Sequence, residues 1–149
     1  MSSIVMSSPT ARESRGSIKG RFALVGVGTV VAAVVANVLV YFIGSVLVGY
    51  DPGFVVLATV GGTILFTLVP AVVAVLLYAV LPRFTANPAR VFRIIAAVVF
   101  VVTLIPDFTY IPTVPGASGG QTAILVLMHA VAASVIVGML TTVAHPRPR

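Results

Sequence analysis

The sequence predicts an all-α fold: an integral membrane four-helix bundle with both termini on the cytoplasmic side (N-in/C-in). The first observation is composition, because the 149 residues are 59% hydrophobic and only 8% charged, whereas soluble proteins carry about 25% charged residues. The second is that the apolar residues form four long runs separated by turn-forming Pro and Gly residues. The third is that the nine Lys and Arg residues flank these runs rather than being spread evenly along the chain.

The first predicted span covers residues 22–50. Its apolar run is longer than the roughly 7–15 residues of a signal-peptide core and exceeds the about 20 residues that cross a bilayer. Residues 1–21 before it are Ser-rich and basic, and we expect a flexible cytoplasmic tail there. Residues 144–149 form a second short cytoplasmic tail, which contains His145.

The second predicted span covers residues 54–81. The preceding Asp51-Pro52-Gly53 is typical of a turn, because Asp can close an Asx turn and Gly tolerates positive φ. Pro70 lies inside the span and cannot donate the helical hydrogen bond to the carbonyl of Phe66, which predicts a kink. The hydroxyl of Thr67 is a candidate partner for the freed carbonyl.

The third predicted span, residues 91–105, is the shortest, and Arg93 lies one turn inside it with a side chain long enough to reach the head groups. Residues 106–120 form a Pro- and Gly-rich connection without a basic residue, which we expect on the membrane surface. The fourth predicted span covers residues 121–143 and completes the bundle.

Charge distribution predicts the orientation. Four basic residues precede the first span, three flank the connection between the second and third, and two follow the fourth. The other two connections contain Asp51 and Asp107 and no basic residue. Because basic segments are retained in the cytoplasm, both termini are expected inside, in the plasma membrane of a bacterium.

Asn37 and His129 are the candidate intramembrane polar pair. Counted from the centres of their spans, they fall at similar depths and can share a hydrogen bond. One interpretation is interhelical packing, with about 0.6 kcal/mol per such bond in membranes. The other is a proton relay or a ligand site, since ionisable groups inside membranes are often functional. Both interpretations remain open from the sequence.

Small residues at helical spacing predict close packing between the spans, because they let helix backbones approach one another. Three of the four spans carry such residues. The predicted packing positions are Ala32, Ala36, Gly61, Gly62, Ala130, Ser134 and Gly138.

Several chemistries are set aside. The chain has no Cys, and the predicted spans contain no Asp or Glu, so an embedded carboxylate for coupled transport is not expected. We predict no enzyme, no catalytic residue, no cofactor and no metal site; a haem or metal shared between the His129 residues of two subunits stays open. The expected partners are the lipid bilayer and either a second copy or another membrane protein, with no nucleic acid.

The segment ILVLMHAVAASVIVGML at residues 124–140, the segment AVVANVLVYFIG around Asn37 and the Leu104-Ile105-Pro106 end of the third span resemble the domain of unknown function 6069 family. The resemblance covers about residues 22–143. It implies a small four-span bacterial membrane protein, with Asn37 and His129 at matching positions but no catalytic role. The expected function is therefore a structural or interaction component of the membrane; the alternative is a small transporter or channel subunit in which His129 lines a polar path.

Overall fold

A computed structural model describes the backbone of residues 10–142 and the side chains of residues 20–142. The predictions for residues 1–9 and 143–149, including His145, concern residues outside this described part. Within the described part, the chain forms four α-helices and no strand: α1 Thr10–Val48, α2 Val60–Val80, α3 Pro88–Thr109 and α4 Gly119–Thr142. Each helix is long and apolar enough to cross a membrane. The predicted all-α membrane bundle is thereby confirmed.

Neighbouring helices run in opposite directions. As residue numbers rise along one helix, the numbers of the residues that it contacts on its neighbour fall. The pairs that show this are Gly26–Val75 and Asn37–Thr67 between α1 and α2, Gly28–Met139 and Gly44–Ile124 between α1 and α4, and Arg93–Thr141 and Asp107–His129 between α3 and α4. The bundle therefore has two ends. The Arg83 end holds the α2–α3 connection, and the Asp51 end holds the α1–α2 and α3–α4 connections.

The helices are not equivalent in their packing. α1 packs extensively against both α2 and α4, whereas α3 packs mainly against α4 and touches α2 little. Two apolar clusters fill the interior. One lies toward the Arg83 end around Tyr78 and Phe92, and the other lies toward the Asp51 end around Phe54 and Met128.

The outside of the bundle is apolar and its inside contains the polar side chains. Leu24, Val46 and Phe66 are among many large apolar side chains that point outward, while Asn37 and Thr67 are buried. A water-soluble protein does not cover itself with large apolar side chains on all its helices. A lipid environment fits this surface. Because a bilayer offers no water to pair with polar groups, those groups must form their hydrogen bonds inside the protein.

The helix boundaries differ from the predicted spans at the first and second helices. α1 begins at Thr10, inside the segment that the sequence predicts as a tail. α2 begins at Val60, six residues after the predicted start, because Thr59 caps it by accepting a hydrogen bond from the Gly62 amide. The residues assigned to the start of the second span instead form turns that bury Phe54 and Leu57 in the bundle.

The two connections at the Asp51 end pack on each other. The predicted Asx turn is confirmed, since the Gly53 amide donates to Asp51 Oδ1 at 2.7 Å. Gly116, from the α3–α4 connection, adopts φ +77°. A Cβ added there would stand 2.8 Å from Asp51 Oδ1 and 3.0 Å from the Phe54 amide nitrogen, so only a glycine fits between the connections.

The third and fourth helices are longer than predicted. α3 extends from Pro88 to Thr109, three residues earlier and four later than the predicted span. α4 begins at Gly119 because Ser118 and Gln121 form a capping box, in which each side chain accepts a hydrogen bond from the other residue's amide.

Pro70 lies within the continuous helix α2. The hydroxyl of Thr67 donates to the carbonyl of Thr63 at 2.8 Å, so it does not satisfy the carbonyl of Phe66 as predicted. Thr67 follows the usual pattern of a helical threonine, which bonds to the carbonyl four residues before it. The kink at Pro70 stays a prediction.

The packing of the two connections generates a first prediction. We expect Gly116→Ala to lower stability more than Gly49→Ala, because Gly49 also has positive φ (+67°) but has open space around it. The Gly49 change isolates the cost of the backbone conformation, about 1–2 kcal/mol for a residue with a Cβ. Thermal unfolding of the purified protein in detergent measures both.

Gly119→Ala is the control, since a Cβ at Gly119 meets nothing within 4 Å and the residue does not have positive φ. We expect no loss of stability from that change. Equal losses from Gly116→Ala and Gly49→Ala would contradict the close contact between the connections.

Candidate functional site

Asp107 lies inside helix α3 rather than in a surface loop. The helix continues past Pro106, and the amide of Tyr110 donates to the Pro106 carbonyl at 2.9 Å. Only 5% of Asp107 is exposed. A carboxyl group is thus held within a helix that is long and apolar enough to span the membrane, where ionisable side chains are rare.

His129 on α4 faces this carboxyl group. Its Nδ1 lies 3.3 Å from Asp107 Oδ2 and 2.9 Å from the carbonyl oxygen of Leu125, one turn earlier on the same helix. The side chain of His129 is 36% exposed, whereas that of Asp107 is 6% exposed. One member of the pair is therefore enclosed by protein and the other reaches the surface of the bundle.

The geometry indicates where a proton resides. Nδ1 faces two oxygen atoms that can accept a hydrogen bond. It can donate one to them only when Nδ1 itself carries a hydrogen. Because a carbonyl oxygen only accepts hydrogen bonds, Nδ1 is the donor in the contact with Leu125, and Asp107 Oδ2 makes no hydrogen bond among the described residues. The 3.3 Å contact with Asp107 is an ion pair when the imidazole is protonated.

A buried carboxylate is costly in an apolar medium unless a positive charge or a proton neutralises it. A protonated imidazole at 3.3 Å supplies that charge, and transfer of its proton to Oδ2 gives a neutral pair. Both arrangements avoid an isolated charge. In either arrangement the pair carries one proton, on the imidazole nitrogen or on the carboxyl oxygen.

The surroundings of the pair are mostly apolar. Met128 and Leu125 belong to the buried cluster at the Asp51 end, against which Tyr41 and Tyr50 also pack. The two tyrosine hydroxyls donate to backbone carbonyls, of Leu57 at 3.2 Å and of Tyr41 at 2.8 Å. Among the described side chains, Asp107 is the one acidic group that faces His129.

The structure does not bring Asn37 and His129 together, which corrects the pair predicted from the sequence. Asn37 is 4% exposed and donates its amide hydrogen to Thr67 Oγ1 at 2.9 Å, while its Oδ1 has no hydrogen-bond partner. Equal depth in the membrane does not fix which face of a helix a residue occupies. Asn37 faces α2, and His129 faces α3.

The predicted packing residues also differ from the close contacts that form. The buried line of α1 runs through Thr29, Ala33 and Asn37, one residue beyond Ala32 and Ala36, which are half-buried. Added Cβ atoms would collide with a neighbouring helix or its connection at positions outside the predicted set. These positions are Gly26, Gly44 and Gly120.

Gly61 and Gly62 lie in the first turn of α2, where added Cβ atoms would meet only nearby atoms of Thr59 and Val56. On α4, Ala130 is half-buried, but Ser134 and Gly138 are exposed. These α4 residues therefore border an open surface of the bundle instead of a helix contact within the chain.

That open surface is a groove between α3 and α4 with a volume of about 400 Å³. Alanines of both helices, Phe100 and Val137 line it, together with Ser134 and Arg93. The guanidinium of Arg93 donates to Thr141 Oγ1 at 3.2 Å. The seam between α3 and α4 therefore has the acid–histidine pair toward the Asp51 end and a cation toward the Arg83 end.

A model of a family of unknown function, DUF6069, matches residues 17–146. The chain belongs to this family. The match covers all four helices except the first turns of α1, and it confirms the resemblance stated from the sequence. No curated protein and no solved structure matches the chain.

Asp107 is a candidate site residue that sequence reasoning missed. The sequence predicts both Pro106 and Asp107 in the connection at residues 106–120. The signal that contradicts this interpretation is length, because the apolar run 91–105 is shorter than the about 20 residues needed to cross a bilayer. The helix must therefore include polar residues at its ends. The third span therefore contains an acidic residue, Asp107, and the prediction of spans without Asp or Glu is wrong.

The contacts of Asn37 generate a second prediction. In a double-mutant cycle, Asn37→Ala and Thr67→Val should show a coupling energy of about 0.6 kcal/mol, and at most about 1.7 kcal/mol, the range measured for interhelical hydrogen bonds in membranes. Thr67→Val removes the hydroxyl that accepts from Asn37 and nearly keeps the volume. Unfolding free energies in detergent provide the cycle.

The matched control is the cycle of Asn37→Ala with His129→Ala. Because these residues share no hydrogen-bond partner in the structure, their effects should add within about 0.5 kcal/mol. Coupling between Asn37 and His129 with none between Asn37 and Thr67 would restore the predicted pair and contradict the structure.

Proposed function

We propose that this protein is a small, non-enzymatic transport or channel subunit that binds and passes a proton at Asp107 and His129. The observation that carries the proposal is the 3.3 Å contact between a buried carboxyl group and a partly exposed imidazole within two membrane-spanning helices. Carboxylate and histidine side chains form the proton relays of membrane pumps and transporters. Imidazoles also change charge near neutral pH as a class.

Exposure supports a direction of exchange between the pair and its surroundings. Asp107 is enclosed, whereas the side chain of His129 is 36% exposed, so we infer that His129 is the member of the pair that exchanges a proton with its surroundings first. Asp107 lies two residues before the end of α3, whereas His129 is the eleventh of the 24 residues of α4. We therefore propose that His129 exchanges the proton and that Asp107 retains it.

We also propose that the protein lies in a bacterial plasma membrane with both termini in the cytoplasm. The distribution of charge supports this orientation. The described basic side chains, Arg21, Arg83, Arg90 and Arg93, belong to the Arg83 end, and the described acidic side chains, Asp51 and Asp107, belong to the other end. Basic residues near span ends are retained on the cytoplasmic side.

A structural role is the second candidate, and the packing of α3 favours it. Because α3 contacts α4 far more than α1 or α2, the Asp107–His129 contact can serve to fasten α3 to the bundle. In that case the protein is an interaction component, with a second copy or another membrane protein as its partner and no nucleic acid. The two candidate functions predict different results when the pair is removed. Removal lowers proton flux if the protein is a transport subunit, and it lowers only stability if the role is structural.

The third prediction concerns proton flux. In proteoliposomes with an internal pH-sensitive dye and an imposed membrane potential, we expect the protein to increase proton entry. Asp107→Asn and His129→Gln should each lower this rate by about tenfold or more, the effect of about 1.4 kcal/mol on a barrier. Both substitutions nearly keep side-chain volume while removing the titratable group.

The chain provides a matched control for each variant. Asp51→Asn changes an exposed carboxylate at the same end of the bundle, and His145→Gln changes the second histidine of the sequence; neither should alter the flux. If protein-containing and empty liposomes show equal proton entry, while both site variants unfold at lower temperature, the transport proposal is wrong and the structural role is favoured.

A further inference from the structure

The groove between α3 and α4 is an open depression on the side of the bundle, not an enclosed cavity. Its volume is about 400 Å³. Its walls are apolar apart from Ser134 and Arg93. Because the outer surface of both helices faces lipid, an apolar chain from the bilayer can enter the groove sideways without crossing water.

Arg93 gives the groove a positive charge at one end. Its side chain is exposed, and its described hydrogen bond goes to the neutral hydroxyl of Thr141. In the described part of the chain, no carboxylate forms an ion pair with it. Asp51 and Asp107 are the described acidic residues, and both belong to the opposite end of the bundle. Among the described side chains, the guanidinium therefore has no anionic partner.

The position of Arg93 agrees with the level of a lipid head group. It lies about 7–8 Å along the axis from the start of α3 at Pro88, at 1.5 Å per residue, and its long side chain can reach further toward the membrane surface. A phospholipid supplies both required features. Its phosphate is a suitable partner for a guanidinium, and its acyl chain fills the apolar part of the groove.

A second copy of the chain fits the groove less well. A dimer with twofold symmetry about the membrane normal brings the same residues of both chains together. Such a contact through the groove would place two Arg93 side chains near each other, at the same depth and without a described acid at that end. Two guanidinium groups held close together at the same depth repel each other.

We propose that the α3–α4 groove binds a phospholipid with an anionic head group, whose phosphate contacts Arg93 and whose acyl chain lies against the alanines of both helices. The lipid occupies the part of the seam that the helices leave open and supplies an anion for Arg93. This site lies on the Arg83 side of the Asp107–His129 pair and does not depend on proton transport.

The test is native mass spectrometry of the detergent-purified full chain titrated with phosphatidylglycerol, and separately with phosphatidylcholine of the same acyl chains. We expect tighter binding of phosphatidylglycerol. Arg93→Gln should weaken it by about tenfold, which corresponds to about 1.4 kcal/mol, and Arg93→Lys should retain most of it because lysine also binds phosphate. Ser134→Leu, which fills the groove from an exposed position, should weaken binding of both lipids.

Arg90→Gln is the matched control, since it removes an exposed positive charge from the same end of α3 without touching the groove. It should leave phosphatidylglycerol binding unchanged. Equal affinity for the two lipids, or equal effects of Arg93→Gln and Arg90→Gln, would overturn the proposal. The chain has no native Cys, so disulfide crosslinking of a Ser134→Cys variant in its own membrane would instead assign the groove to a second copy.

Discussion

A carboxyl group inside an apolar bundle is the constraint on which the arrangement of α3 depends. Asp107 cannot face lipid, because an unpaired charge or polar group there has no water to compensate it. It must therefore turn toward α4, where His129 provides the nitrogen at 3.3 Å. Since α3 has few contacts with the other helices, this requirement fixes which face of α3 packs in the bundle and leaves its apolar side chains toward the lipid.

The Asn37–Thr67 and Asp107–His129 contacts between helices differ in chemical character. Asn37 and Thr67 join α1 to α2 through a neutral hydrogen bond, which does not change with proton concentration. Asp107 and His129 join α4 to α3 through groups that can both lose or gain a proton. The neutral contact lies in the extensively packed interface between α1 and α2. The titratable contact lies at the interface that is less completely packed, where a groove remains open.

The sequence predicts the four helices, their membrane location and the turn at Asp51, because these follow from apolar length and local turn chemistry. The sequence does not predict which residues meet. The pairing of Asn37 with Thr67 depends on how each helix is rotated about its own axis, and depth in the membrane alone does not determine that rotation. The boundary of α3 was missed for a different reason. Pro106 resembles a helix end in sequence, yet the helix continues for three more residues because an apolar run of fifteen residues is too short to cross the bilayer.

The two ends of the α3–α4 seam can act independently. His129 and Thr141 are twelve residues apart on α4, a separation of about 18 Å along the helix axis. At an effective dielectric constant of 20, unit charges at that distance interact by only about 1 kcal/mol. Occupation of the groove beside Arg93 therefore changes the charge balance of the Asp107–His129 pair only slightly. A stronger influence of one end on the other would require α3 to move relative to α4. Because α3 is sparsely packed, its movement would disturb fewer contacts than movement of another helix.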